Sequence, residues 1–370
     1  MEKKIKFLVI VGARPNFIKI APLFAEFKKN KRIVPVLIHT GQHYDFEMSQ
    51  VFFEDLNIPR PDYNLGIGSG SHAYQVGEAL IKAEKIILEE KPDIIIVVGD
   101  ANSSLVGSLA ATKLRLPVAH IEAGLRSFNK KMPEEINRLV TDHIADYLFV
   151  YDQESAKNLL MEGINPGRIF FTGNIMIDSL RRAEKKTREL KFFKKFRLKE
   201  KEYAVLTLHR QENVDDKETL KEMLAALDVI QKKIKIIYPV HLRTKKRFKE
   251  FGFEGMIKNM KNLVITPPLS YMKMLSLLIG SRFVMTDSGG IQEETTVLGI
   301  PCLTLRKETE RPVTLKVGTN KLVGSKKEDI IKEAVKILGG TVKKGRVPQY
   351  WDGKTAKRIL GILLEKAQKR

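Results

Sequence analysis

With 370 residues, 43% of them hydrophobic, the chain is long for one core and suits two α/β domains. No apolar run is long enough to span a bilayer, and the lone Cys302 excludes an intrachain disulfide framework. Lys and Arg outnumber Asp and Glu by 65 to 44, a formal charge of +21, with the excess gathered in Arg181–Lys201 and Arg243–Lys249. A solvated basic surface accounts for these runs better than a nucleic-acid site does, and a positive field helps to gather small anionic substrates. The opening Met1-Glu-Lys-Lys-Ile5 passes straight into a strand with no signal-peptide core, so a cytoplasmic location is expected.

In chain order, apolar strands alternate with helices. Phe7–Val11 reads as a buried strand that Gly12-Ala-Arg14 turns into a helix, with Pro15 at an early helical position. Val34–His39 is a second strand, ending in Thr40-Gly-Gln-His43. A helix from His72 to Glu90 precedes the strand Asp93–Val98, which ends in Gly99-Asp100. Pro117–Ile121 ends in Glu122-Ala-Gly124; a helix over Pro133–Ala145, a strand at Tyr147–Tyr151 and a further helix complete this half. The second half repeats the plan: Tyr203–Leu208 ends in His209-Arg210, and Ile234–Tyr238 leads to Pro239-Val-His241. The strands Asn262–Thr266, Phe283–Thr286 and Ile300–Leu305 follow, with Cys302 at a buried position of the last. Continuous apolar strands between helices predict parallel sheets covered on both faces. The expected fold is therefore α/β, with two doubly wound, Rossmann-like domains facing a cleft. They are assigned to residues 1–178 and 179–354, and the polar helix from Thr355, residues 355–370, is expected to pack back on the first.

Unusual polar residues collect just past the carboxyl ends of these strands, where open parallel sheets bind ligands: Arg14, His39, Gln42, His43, Asp100, Glu122, His209, His241 and Ser288. Asp100, Glu122 and one of Glu134 and Glu135 are proton-transfer groups, since clustered carboxylates split into an acid and a base. The stretch Thr286-Asp-Ser-Gly-Gly-Ile-Gln-Glu-Glu294 reads as a strand feeding a glycine turn and a helix N-terminus. Its open N–H groups and dipole suit a phosphate, and one of Glu293 and Glu294 suits ribose hydroxyls. Arg311 suits a diphosphate held through two N–H groups. No metal-ligand spacing is present, and Gly12-Ala-Arg-Pro-Asn-Phe17 lacks the later glycines of a dinucleotide fingerprint. No cofactor is expected.

Several segments together resemble the non-hydrolysing UDP-N-acetylglucosamine 2-epimerases: Gly12-Ala-Arg-Pro-Asn-Phe-Ile-Lys19, Thr40–His43, Gly99-Asp100, His120-Ile-Glu-Ala-Gly-Leu-Arg126, Pro133-Glu-Glu-Ile-Asn-Arg138, Thr172-Gly-Asn174, Pro239–His241, Thr286–Glu294 and Glu308-Thr-Glu-Arg-Pro312. They keep the family's order and run from near the start to beyond Pro312. The resemblance implies a fold similar to two-domain nucleotide-sugar glycosyltransferases, with UDP held mainly by the second domain. By position, it makes Arg14 and Lys19 substrate-binding, Asp100, Glu122 and Glu134 acid and base, and His209 the histidine near the diphosphate. It further makes Ser288, Gly289 and Gly290 the phosphate loop, Glu294 the ribose carboxylate and Arg311 a nucleotide contact. Gln42, His43 and His241 match a second substrate site. Where many members have Gly-Thr-Arg-Pro-Glu this chain has Gly12-Ala-Arg-Pro-Asn16, and the usual Gly-His-Arg-Arg-Glu appears as Leu208-His-Arg-Gln-Glu212. Met274 stands where the family often sets a phenylalanine against uracil; it reads equally as a core helix residue.

The implied activity is reversible C2 epimerisation of UDP-N-acetylglucosamine to UDP-N-acetylmannosamine by elimination and re-addition of UDP. A hydrolysing epimerase and a glycosyltransferase of the same architecture remain open alternatives, with a nucleotide-sugar or nucleic-acid binder outside the enzymes. A small nucleotide-sugar is the expected partner, with neither nucleic acid nor membrane, and a homodimer is expected.

Overall fold

In the computed structural model, which describes residues 3–41 and 58–369, the apolar runs become parallel strands in two sheets. The chain divides into two compact units, Met1–Arg182 with Gln349–Arg370, and Ala183–Pro348. The strands of the first are β1 (Ile5–Val11), β2 (Ile33–His39), β3 (Tyr63–Asn64), β4 (Ile94–Val98), β5 (Val118–Ile121), β6 (Tyr147–Val150) and β7 (Ile169–Phe171). Their order across the sheet is β3-β2-β1-β4-β5-β6-β7. The second unit contains β8 (Tyr203–Thr207), β9 (Lys235–Pro239), β10 (Leu263–Thr266), β11 (Phe283–Thr286), β12 (Cys302–Thr304) and β13 (Asn320–Leu322), in the order β10-β9-β8-β11-β12-β13. Both are doubly wound α/β sheets. Each reverses direction once, between β1 and β4 and between β8 and β11, and a reversal opens a crevice past the strand ends.

The strands lack a polar alternation because both faces are covered. In β8, Ala204 and Leu206 join one hydrophobic cluster while Tyr203 and Val205 join another on the opposite face, as a period of two requires. Cys302 lies in the second of these clusters, and burial pushes its thiol up to about 12, which makes it an inert core residue. The sequence pattern does not reveal β3, β7 or β13. Each has two or three residues and ends its sheet, too short for any periodicity to register.

Close packing seats a helix directly on the first sheet. The helix Asn102–Lys113 is rich in Ser, Gly and Ala, and a Cβ at Gly107 would lie 2.7 Å from Val97 and 3.1 Å from Ile10. The backbone thus settles directly on β1 and β4. At the other end of the chain, the returning segment anchors on the first unit. Trp351 is fully buried and donates from its indole to the Tyr151 carbonyl at 3.1 Å. The Asp178 carboxylate accepts the Thr355 and Ala356 N–H groups at 3.1 and 2.8 Å, capping the helix Thr355–Gln368 in place of a local cap.

Burial pushes the Asp178 carboxyl up to about 6, although the Ala356 and Thr355 N–H groups oppose this. Because the folded state holds this proton more tightly than the unfolded chain, its contribution to stability is complete below about pH 4 and is lost as pH rises through about 6. Asp178→Asn is expected to remove that dependence. Asp178→Ala, which leaves two N–H groups without their acceptor, should cost about 1–2 kcal/mol. Thermal unfolding followed by the fluorescence of Trp351, the sole tryptophan, at about pH 5 and pH 8 measures both. Parallel curves for wild type and Asp178→Asn would count against the assignment.

Candidate active site

In the first unit, the crevice between β1 and β4 is built on side chains that join the two strand ends. Asn16 accepts the Ala13 N–H at 2.9 Å and donates to the Val98 carbonyl at 2.8 Å, tying the turn after β1 to the end of β4. Asparagine suits this post because one amide both accepts and donates. Gly99 then takes a φ of +68°. A Cβ there would lie 2.8 Å from Lys19 Nζ and 3.0 Å from Glu122 Oε2, so this position needs glycine for conformation and for space.

Lys19 and Glu122 form a buried ion pair over Gly99. Glu122 itself has a φ of +74°, which costs a residue with a side chain on the order of 1–3 kcal/mol. The Glu122 and Ala123 N–H groups both donate to the Phe149 carbonyl, at 3.0 and 3.1 Å, and hold the turn against that strain. Asp100 is paired with the Arg138 guanidinium, whose other arm donates to Glu135 at 2.7 Å. Its carbonyl accepts from Asn137 at 2.9 Å.

The open choice between Glu134 and Glu135 divides on burial. Glu135 is buried and accepts the Ser127 and Phe128 N–H groups at 3.0 and 2.8 Å besides Arg138. Glu134 is exposed on the first turn of the helix Pro133–Ile144. Arg14 opens the helix Arg14–Phe27, and its side chain lies outside the described part. Gln42 and His43 also lie outside the described residues.

The second unit repeats this arrangement with other residues. Asp287, at the end of β11, is fully buried and accepts the His209 and Arg210 N–H groups, each at 2.9 Å, and the Asn213 amide at 3.1 Å. His209 Nδ1 stands 2.9 Å from the same carboxylate, which directs Nε2 away from it. Burial alone would raise the Asp287 carboxyl, but the His209 ring and these N–H groups outweigh it and hold the carboxyl below the usual range. The helix Gly289–Leu298 begins beside this pair. Ser288 makes no side-chain capping bond, so the first N–H groups of the helix keep their capacity for an anion. A Cβ at Gly289 would lie 2.6 Å from the Arg311 guanidinium carbon, and the glycine admits that arginine over the helix start. Arg311 donates to Glu293 at 2.7 Å and Glu310 at 2.6 Å, and Glu310 also receives Arg306 at 2.6 Å and Arg210 at 3.0 Å. Three arginines thus share one buried carboxylate.

His209, Ser288, Gly289, Gly290 and Arg311 therefore gather at one switch point. Glu294 lies further along the helix, buried against the Tyr271 phenol. Burial pushes its carboxyl up to about 7, with Tyr271 opposing and Glu293 adding to the rise. Met274 is half-buried and packs on the hydrophobic cluster of Tyr203 and Val205. His241 caps the helix Leu242–Glu250, accepting the Arg243 N–H at 3.3 Å, and its ring centroid lies 6.1 Å from that of His209. Among the described residues no cluster of His, Cys, Asp or Glu is arranged to hold a metal.

The sequence reading assigned no role to Arg138, Asp287, Arg306 or Glu310. Arg138, Asp287 and Glu310 fall inside the quoted segments and Arg306 outside them, but nothing in a sequence shows which charge neutralises which.

The chain matches the family model described as UDP-N-acetylglucosamine 2-epimerase over residues 25–364. It belongs to that family. It is 46% identical over 364 residues to the UDP-N-acetylglucosamine 2-epimerase of Methanocaldococcus jannaschii, covering 97% of this chain and 98% of that one. The crystal structure of that organism's UDP-GlcNAc 2-epimerase in complex with UDP-GlcNAc and UDP superposes with a TM-score of 0.90 at 45% identity, over 98% of this chain and 100% of that chain. A UDP-2,3-diacetamido-2,3-dideoxy-D-glucuronate 2-epimerase from Pseudomonas aeruginosa is 39% identical, over 97% and 99% of the two chains. This epimerase is therefore an isomerase of the expected family and fold.

The ion pair over Gly99 gives a stability test in this epimerase. Lys19→Met removes the cation paired with the buried Glu122 carboxylate and should cost about 3–5 kcal/mol. Adding Glu122→Gln should restore much of that loss. Denaturant unfolding of the single and double variants decides it; a single variant as stable as wild type would show that the pair is not desolvated.

Proposed function

We propose that this epimerase interconverts UDP-N-acetylglucosamine and UDP-N-acetylmannosamine. The observation that carries the reading is the collection of Asp100 and Glu122 at one switch point, each paired with a cation, in a chain of this family. A carboxylate takes the C2 proton as the C1–O bond breaks. The bonding electrons of C2–H form the C1–C2 double bond, and UDP leaves with the electrons of the C1–O bond. Reprotonation at C2 from the opposite face and return of UDP to C1 complete the exchange. Two faces require two proton carriers, for which Asp100, Glu122 and the exposed Glu134 are the candidates.

In the second unit, the anionic leaving group falls to the open N–H groups after Ser288, with Gly289, Gly290, Arg311 and His209. Arg14 and Lys19 are assigned to the substrate, Glu294 to the ribose and Met274 to the uracil side. Gln42, His43 and His241 are assigned to a second substrate molecule. Release of UDP with free N-acetylmannosamine would mark a hydrolysing enzyme instead. We also propose a cytoplasmic homodimer serving polysaccharide biosynthesis. The lone buried Cys302 fits a reducing compartment. Tyr74, Ile81 and Leu88 expose an apolar stripe on the helix His72–Glu90 that suits a second copy.

Turnover of UDP-N-acetylglucosamine in deuterated water is expected to place solvent deuterium at C2 of both epimers without net release of UDP. Product formed without deuterium would overturn the proton-transfer route, and stoichiometric free UDP would overturn the non-hydrolysing one.

If the Glu294 carboxylate accepts ribose hydroxyls, the ligand favours its ionised form. UDP affinity should then rise with pH and level off above about 7. Glu294→Gln should flatten the profile. Calorimetric titration of UDP across that range checks this, and a profile unchanged in the variant would remove Glu294 from the ribose site.

A further inference from the structure

His120 is fully buried in β5, two residues before Glu122. Its Nδ1 lies 2.7 Å from Asp142 Oδ1 and its Nε2 2.9 Å from the Gly99 carbonyl oxygen. A carbonyl oxygen has no proton to give, so Nε2 must carry one. Asp142 is an acceptor as well. Its other oxygen takes the Gly124 N–H at 3.0 Å and Arg126 Nη1 at 2.7 Å. Burial would raise this carboxyl, but His120 and Arg126 outweigh it and keep it below the usual range.

We infer that His120 donates from both ring nitrogens and is a positioning residue for Asp100, fixing the peptide that joins Gly99 to it. Gly99 has no side chain, and its φ of +68° is not imposed by the strand it follows, so this peptide needs restraint from outside. Three donors supply it: His120 on the Gly99 carbonyl, Asn137 on the Asp100 carbonyl and Arg138 on the Asp100 carboxylate. A ring with one proton would turn a lone pair toward either Asp142 or the Gly99 oxygen, and one of the two contacts would become repulsive. The strand neighbours paired with His120, Val97 and Leu148, are apolar. The charged groups facing the ring are therefore Asp142 and, through it, Arg126, which also holds Glu162 at 2.7 Å. Lys19, Glu122, Asp100 and Arg138 belong to the same crevice.

The role, though not the proton count, rests on Asp100 being a reacting carboxylate. Nitrogen-15 labelling of the histidines gives the direct test. In the whole protein at neutral pH, one buried imidazole should show two ring N–H protons, close to Gly99 and Asp142, and both should vanish in His120→Gln. A single N–H on that ring would overturn the inference. The same variant should lower kcat for epimerisation at least about tenfold while KM moves less than about twofold. An active wild type with an undiminished variant would also overturn it. Should wild type prove inactive on UDP-N-acetylglucosamine, the functional reading fails and the N–H count still decides the ring. Should the variant not fold, the wild-type spectrum decides alone.

Discussion

Buried carboxylates need partners, and both crevices are organised around meeting that need. Removing an ionised group from water costs several kcal/mol unless opposite charge and hydrogen bonds replace the solvent. In the first unit Glu122 is met by Lys19, Asp100 and Glu135 share Arg138, and Asp142 takes Arg126 and His120. In the second, Asp287 is met by His209 and backbone N–H groups, and Glu310 collects three arginines. Asp100, Glu122, His209 and Arg311 are therefore oriented before any ligand arrives. Preorganised charge of this kind stabilises developing charge without reorganisation during the reaction.

The backbone makes room for these pairs by giving up side chains where charges approach it. Gly99 lies under the Lys19–Glu122 pair and Gly289 under Arg311. Gly107 lets a helix settle on the sheet behind Asp100. The positive φ of Glu122 is the reverse case, strain accepted so that a carboxylate can stand over Gly99. The two units reach similar solutions with unrelated residues, because a reversal in strand order leaves the same opening past the strand ends in each sheet.

The proposed division of labour follows from the sign of the charge at each switch point. Carboxylates with a lysine and an arginine suit proton transfer, while helix N–H groups with an arginine and a histidine suit a departing diphosphate. Glu294 departs from the pattern. Its carboxyl is buried beside another carboxylate and has a phenol rather than a cation against it, and it is pushed up to about 7.

Much of this was legible in the linear chain. Unbroken apolar runs such as Ile94–Val98 and Tyr203–Thr207 could only be parallel strands covered on both faces, and polar residues following each run marked the ligand edge. The segments around Asp100, Glu122, Ser288 and Arg311 carried the family and the expected chemistry, because residue type and order survive in a string. Partnership does not. That Arg138 reaches Asp100, that Asp287 orients His209, and that Glu135 is buried while Glu134 is exposed depend on residues brought together from distant positions. The edge strands β3, β7 and β13 were likewise decided only by the neighbours on which they pair. The sequence alone determined where the strands end and which polar residues follow them, through local pattern. Tertiary structure decided which charges neutralise one another, because desolvation and ion pairing depend on distance in space and not on separation along the chain.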